Sequence, residues 1–164
     1  MMRVDHTLTA LMAERRILLR GDGSIAEAAK RRLAALELPV VREDALATDA
    51  IVTWEPAPLT PDELGTQVQQ LTNLLETGNL RRVVLVLADG APVAMGVAET
   101  LTLYAAAHLV QKQTRFNMVR LPASPTASAL ERATNATLML MCGRMDAVHG
   151  QVLSIAEEHA EVRP

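Results

Sequence analysis

The sequence predicts an α/β protein built on a doubly wound parallel sheet, and three observations lead there. Short apolar runs rich in Val, Ile and Leu recur without the alternation of a half-exposed strand, as expected for strands buried on both faces. Helical stretches with recognisable start and stop signals fall between them. The alternation of strand and helix continues through the chain, which implies right-handed crossovers. With 164 residues, one domain spanning 1–164 is expected.

The elements follow in order. RILLR (16–20) is the first strand. It meets a glycine turn and then SIAEAAKRRLAALE (24–37), a helix with Ser24 as N-cap and Ile25, Ala29, Leu33 and Leu36 on one face. PVVR (39–42) and AIVTW (50–54) are the next strands. TPDELGTQVQQLTNLLETG (60–78) reads as a helix with Thr60 as cap, Pro61 at the first helical position, Glu63 completing a capping box and Gly78 closing it. RVVLVLA (82–88) is a strand, followed by an Ala-rich helix over 91–113. FNMVRL (116–121), a helix over 127–143 and QVLSI (151–155) complete the set, with tails at 1–13 and 157–164.

Composition narrows the function classes. A net charge of −3 and the lack of a Lys/Arg run argue against nucleic acid. The single cysteine, Cys142, excludes an internal disulfide framework and fits a reducing, cytoplasmic setting. No apolar run approaches the roughly 20 residues of a membrane span, and MMRVDHTLTALMAERR is a poor secretion signal. Trp54, Tyr104 and Phe116 are the only aromatic residues, so Ala, Leu and Val must build the core.

The order of the pieces resembles the short-chain dehydrogenase/reductase family. TLMLMCGRMDAVHGQVLSIAEE is similar to that family's last helix, loop and strand. QTRFNMVRLPAS is similar to its Arg-x-Asn-x-Val strand, here with Asn117 and Pro122. DAIVTWEPAP lies where a strand ending Asn-Asn-Ala-Gly belongs, and SIAEAAKRRLAAL lies on the first helix. The resemblance runs from about residue 14 to 160. It implies a Rossmann-like sheet, trimmed of the third strand region and of the substrate lid after Pro122.

The departures fall at the functional stations. Gly21 and Gly23 remain in the cofactor turn, but Ser24 and Ala26 replace its other glycines, leaving a vestigial turn. VVREDALATDAIV runs directly into the next strand, with Glu43 or Asp44 the acids nearest the ribose position. Trp54-Glu55-Pro56 replaces the turn beneath the nicotinamide. Where the family carries Ser, then Tyr and Lys, this chain has Ala88-Asp89, Ala91–Pro92 and Met95–Gly96. Tyr activated by a nearby Lys is the proton donor of that chemistry, so no catalytic residue and no cofactor are expected here. Tyr104 and His108 share a helix face at i,i+4, about three turns beyond that station. Cys142 and His149 lack the further ligands a metal needs.

What the chain keeps are the family's association surfaces. Leu101, Tyr104, Ala105, His108 and Leu109 are the candidates for a first contact, and Val148, Val152, Leu153 and Ile155 for a second. The resemblance implies a non-catalytic subunit paired, in a heterotetramer, with a full-length homologue that binds NAD. The loss of motifs is similar to that in the inactive subunit of a heteromeric dehydrogenase of benzylsuccinate β-oxidation in toluene breakdown, whose partner oxidises a hydroxyacyl-CoA alcohol. Two alternatives are a stand-alone regulatory homodimer binding an anionic or nucleotide-like ligand above Gly21 and Gly23, and a minimal enzyme using Tyr104, His108 or Asp89.

Overall fold

The six apolar runs become six parallel strands. The computed structural model describes residues 7, 9–55, 57–109 and 112–157. Its strands are β1 (Ile17–Arg20), β2 (Val40–Val41), β3 (Asp49–Trp54), β4 (Arg82–Ala88), β5 (Arg115–Leu121) and β6 (Val152–Ser154). They are ordered β2-β1-β3-β4-β5-β6, and every pairing is parallel. The central β3 and β4 are buried almost throughout, because helices cover both faces. The edge strands β2 and β6 are shorter than predicted and partly exposed, having a neighbour on one side only.

Among the described residues, the long helices that flank the sheet are α1 (Gly23–Ala35), α2 (Pro61–Thr77), α3 (Pro92–His108) and α4 (Ala127–Met141). Successive strand residues point to opposite faces, which divides the core into two layers. On one face Ile25 and Leu33 of α1 and Leu138 and Met141 of α4 pack over Ile17, Ile51, Val84 and Val119. On the other, Leu71 and Leu74 of α2 and Met95 and Ala98 of α3 pack over Leu18, Val52, Leu85 and Met118.

That division corrects the expectation of uniform handedness. From β3 to β6 the sheet advances in one direction, yet α4 lies on the face opposite α2 and α3. The β5–β6 crossover therefore has the opposite hand to the two before it. The placement lets α4 pack on α1, where Arg32 donates to Asn135 at 3.1 Å.

The predicted deletion is visible in the topology. In the usual order 3-2-1-4-5-6 the third strand lies outside the second; here β2 is the edge itself. Residues 42–48 carry the chain from β2 to β3 through a single 3-10 turn, Asp44–Leu46.

Helix ends follow local chemistry. Thr60 and Glu63 close the predicted capping box, with Glu63 N donating to Thr60 Oγ1 at 3.2 Å and Thr60 N to Glu63 Oε2 at 3.1 Å. α3 ends at His108 rather than near 113, and α4 at Met141 with Cys142 as C-cap. Residues 1–6, 8 and 158–164 of the predicted tails lie outside the described residues. Residues 9–12 are helical, and Met12 is fully buried in the first core layer, so this part of the predicted tail belongs to the body.

Two polar anchors sit away from the carboxyl ends of the strands. Asp49, fully buried at the start of β3, meets Arg15 at 3.2 Å and Arg82 at 3.5 Å and accepts from Thr48 Oγ1 at 2.7 Å. Burial pushes its carboxyl up to about 6. His149 joins β5 to α3: Phe116 N donates to its Nδ1 at 3.0 Å, and its Nε2 lies 3.2 Å from Ala106 O. A ring accepting at Nδ1 and donating at Nε2 is a neutral imidazole. Among the described residues, no helix is long and apolar enough to cross a membrane.

Candidate functional site

The carboxyl ends of β1, β3, β4 and β5 form the crevice where open α/β sheets hold their ligands. The sequence places a glycine turn, a helix N-terminus and several charged residues there. Their contacts show which of these are open and which are taken.

The first is the turn after β1. α1 starts at Gly23 with Asp22 as N-cap, so Ser24 sits inside the first turn and does not cap as predicted. Its hydroxyl instead donates to Glu55 Oε1 at 2.8 Å, and the Ile25 amide donates to Glu55 Oε2 at 2.7 Å. A helix N-terminus is a ready anion site, because its first amides lack partners and its dipole favours negative charge. Glu55, one residue beyond β3, supplies that anion from within the chain. A dinucleotide's pyrophosphate brought to this turn meets a carboxylate already on the Ile25 amide, with like charges opposed.

This contact gives the two retained glycines a different reason to exist. A Cβ on Gly23 (φ +91°) falls 2.7 Å from Glu55 Cδ. One on Gly21 (φ +117°) falls 2.0 Å from Thr53 Oγ1 and 2.5 Å from the Thr53 carbonyl oxygen. Both are required by the close approach of the β3 end, independently of any phosphate. Ala26 is fully buried. Of the acids considered for the ribose position, Asp44 pairs with Arg20 and Glu43 precedes the 3-10 turn. Pro56 lies outside the described residues.

The second station is the end of β4. Asp89 accepts from Arg120 Nε at 2.8 Å, and Arg120 Nη1 donates to Glu99 Oε1 at 3.1 Å. The hydrogen bond and charge of Asp89 hold the guanidinium's pKa up. This triad ties β4, β5 and α3 together beside the positions aligned with Ser, Tyr and Lys. Ala91 and Met95 are buried there, and neither Pro92 nor Gly96 offers a titratable group. Tyr104 and His108 stack at 4.1 Å between ring centroids, tilted by 32°, on the outer surface of α3.

Between the turn after β1, the end of β3 and α2 lies a cavity of about 740 Å³, bordered by Arg20, Asp44, Val52, Thr53, Glu63 and Leu71 among others.

The predicted contact residues divide. Tyr104 is 60% exposed and His108 is exposed, with Leu101 half-buried. Ala105 and Leu109 are buried in the second core layer, because they occupy the sheet-facing side of α3, and offer a partner nothing. Val93 and Leu103, which the sequence reading missed, are 72% and 68% exposed on the outer stripe. At the C-terminal end Val152 is exposed, while Val148, Leu153 and Ile155 are half-buried against the chain's own first core layer. Cys142 donates to the Met139 carbonyl at 3.0 Å, a local contact unrelated to His149.

No family model matches the chain. No curated protein matches it in sequence. Solved structures do match in shape. The enoyl-acyl carrier protein reductase of Bacillus cereus, determined with NADP+ and indole naphthyridinone, superposes with a TM-score of 0.66 at 12% identity, covering 88% of this chain and 96% of that one. An NADH-dependent reductase complexed with NAD gives a TM-score of 0.65 at 13% identity over 90% of this chain and 97% of that one. BdcA of E. coli gives 0.63 at 11% identity over 87% and 98%. This chain of 164 residues therefore has a Rossmann-like α/β fold, shared with these reductases.

Proposed function

We propose that this chain is a non-catalytic subunit of a hetero-oligomeric, NAD-dependent short-chain dehydrogenase. It binds no dinucleotide itself and stabilises a full-length homologue that holds NAD and performs the hydride transfer. The observation that carries the reading is the outer stripe of α3, where Val93, Leu103, Tyr104 and Ala107 lie exposed and uncharged. A helix apolar all round is a buried helix, and a partner subunit is what can bury this one. The exposed edge of β6 offers a second surface, so two copies of each subunit in a heterotetramer use both.

Glu55 and Arg120 support the non-catalytic half of the reading, since the chain's own charges fill the two stations that cofactor and substrate chemistry need. The resemblance to the subunit from benzylsuccinate β-oxidation makes a hydroxyacyl-CoA alcohol the partner's substrate class. The alternative is a stand-alone ligand-binding or regulatory homodimer, which the cavity beside Gly21 favours.

Recovery of the tagged chain from its host tests this directly. The expected result is a longer homologous dehydrogenase in the eluate, NAD(H) binding in the complex only, and loss of the complex on Tyr104→Glu. A chain that emerges alone and binds NAD(H) or a CoA ester tightly overturns the reading.

A further inference from the structure

The cavity of about 740 Å³ lies at the carboxyl ends of β1 and β3, where the winding reverses: β1 leads outward to β2, and β3 leads the other way to β4. That is the binding position of open α/β sheets, and the volume is that of a ligand pocket. Its chemistry, however, is opposite to that of an anion site. Asp22, Asp44, Glu55 and Glu63 bring four carboxylates to its border, Glu55 and Glu63 while also accepting from backbone amides at the starts of α1 and α2, against the single guanidinium of Arg20. Arg20 is itself paired with Asp44. An anion entering here meets a negative field, while a cation is drawn in.

The remaining lining defines the rest of the ligand. Val52, Leu71 and Leu74 give an apolar floor. Gln67 and Gln70 line the α2 side with side-chain amides whose carbonyls accept N–H groups, while the Asn73 carbonyl beside them accepts from Gln69 Nε2 at 3.4 Å. The α2 wall runs from Glu63 to Thr77, about 20 Å at 1.5 Å per residue. An elongated molecule matches this, with charged nitrogen at its ends and methylenes between, laid over apolar surface as Lys and Arg stems are.

We propose that this cavity binds an aliphatic ammonium or guanidinium ligand. The chemistry is shared by a free polyamine and by a Lys or Arg side chain that a partner subunit inserts. The binding stands whether or not the partner is a dehydrogenase, and so goes beyond the reading above.

Spermidine is the probe, titrated calorimetrically into the purified chain at low ionic strength, where surface charge is least screened. Saturable binding is expected. Asp22→Asn, which removes a carboxylate that makes no capping bond, and Gln70→Lys, which places a cation in the cleft, each weaken it about tenfold. Glu131→Gln, the same charge change on the exposed surface of α4, leaves it unchanged. Absence of binding, or equal losses in all three variants, overturns the proposal. Repeating the titration on the complex separates the sources. Spermidine bound by the chain but excluded from the complex assigns the site to a partner's basic side chain; binding in both assigns it to a free amine. Failure here leaves recovery of the dehydrogenase partner unaffected, so the two readings fail separately.

Discussion

The carboxyl end of the sheet and the outer surface of α3 are treated in opposite ways. At the sheet end, polar residues are spent on one another: Glu55 on the start of α1, and Arg120 on Asp89 and Glu99. On α3, Val93, Leu103 and Tyr104 stand in the open. Neighbouring α2, of the same length and on the same face of the sheet, instead exposes Asp62, Thr66, Gln69 and Glu76. The difference singles out the outer face of α3 as the surface for the partner proposed above. Buried helices of one layer can share an inner face, but only a helix with a second packing partner has reason to be apolar on its outer face as well.

The sharpest way to break this contrast is a charge on α3. Tyr104→Glu should weaken association by about a hundredfold, as expected for an aromatic anchor lost from an interface centre. The stability of the isolated chain should change by no more than about 0.5 kcal/mol, since the side chain is 60% exposed. Gln69→Glu on α2 is the matched control and should alter neither. Sedimentation and thermal unfolding read both effects; equal association in the two variants removes the distinction between the helices.

The closed end is tested next. Gly21→Ala combines a φ of +117° with a Cβ 2.0 Å from Thr53 Oγ1, and should cost about 3 kcal/mol or more. Glu55→Ala removes the carboxylate from the Ile25 amide and the Ser24 hydroxyl. It should cost about 1–2 kcal/mol, the scale of an anion at a partly buried helix start. Inorganic phosphate should restore part of that loss in the variant and leave the parent unmoved. A parent stabilised equally by phosphate means the Ile25 amide is free, and the closed end is then open.

The parallel sheet and the missing third strand were legible because apolar runs and the short connection between them are local features of the sequence; the strand order was not. The capping box at Thr60 was legible for the same reason. The closure by Glu55 was not: it joins residues 31 and 30 apart in sequence. An acid after AIVTW announces nothing until the sheet brings it to the glycine turn. Gly21 and Gly23 misled in a related way, since a glycine signals close approach without saying to what. Ala105 and Leu109 failed as contact residues because an Ala-rich helix with weak amphipathicity does not declare which side faces the sheet. The hand of the β5–β6 crossover depends on where α4 finds partners, and Arg32–Asn135 spans 103 residues.

The smallest expected effect probes the seam behind the open surface. His149 holds the β6 entry against Ala106 on the sheet-facing side of α3, and Gly150 packs so closely that an added Cβ lies 2.3 Å from Ala106 Cβ. Burial is the main cause that lowers the His149 pKa from 6.5. Its folded value lies below its unfolded one, so in the window between them the unfolded chain binds more protons and stability rises with pH. The contribution is fully present above 6.5 and is lost as pH falls through the folded pKa, when Nδ1 takes a proton and can no longer accept from Phe116 N. Asp49 acts with the opposite sign. Raised from 3.8 to about 6, it contributes stability that declines as pH rises between those values. Unfolding of the parent alone therefore mixes the two, and the quantity to follow is the difference between the parent and His149→Gln. That difference should grow from pH 5 to about 6.5 and then level off. A flat difference means that folding leaves the ring's hold on its proton unchanged, and that the clamp behind α3 is held by Gly150 and not by the ring.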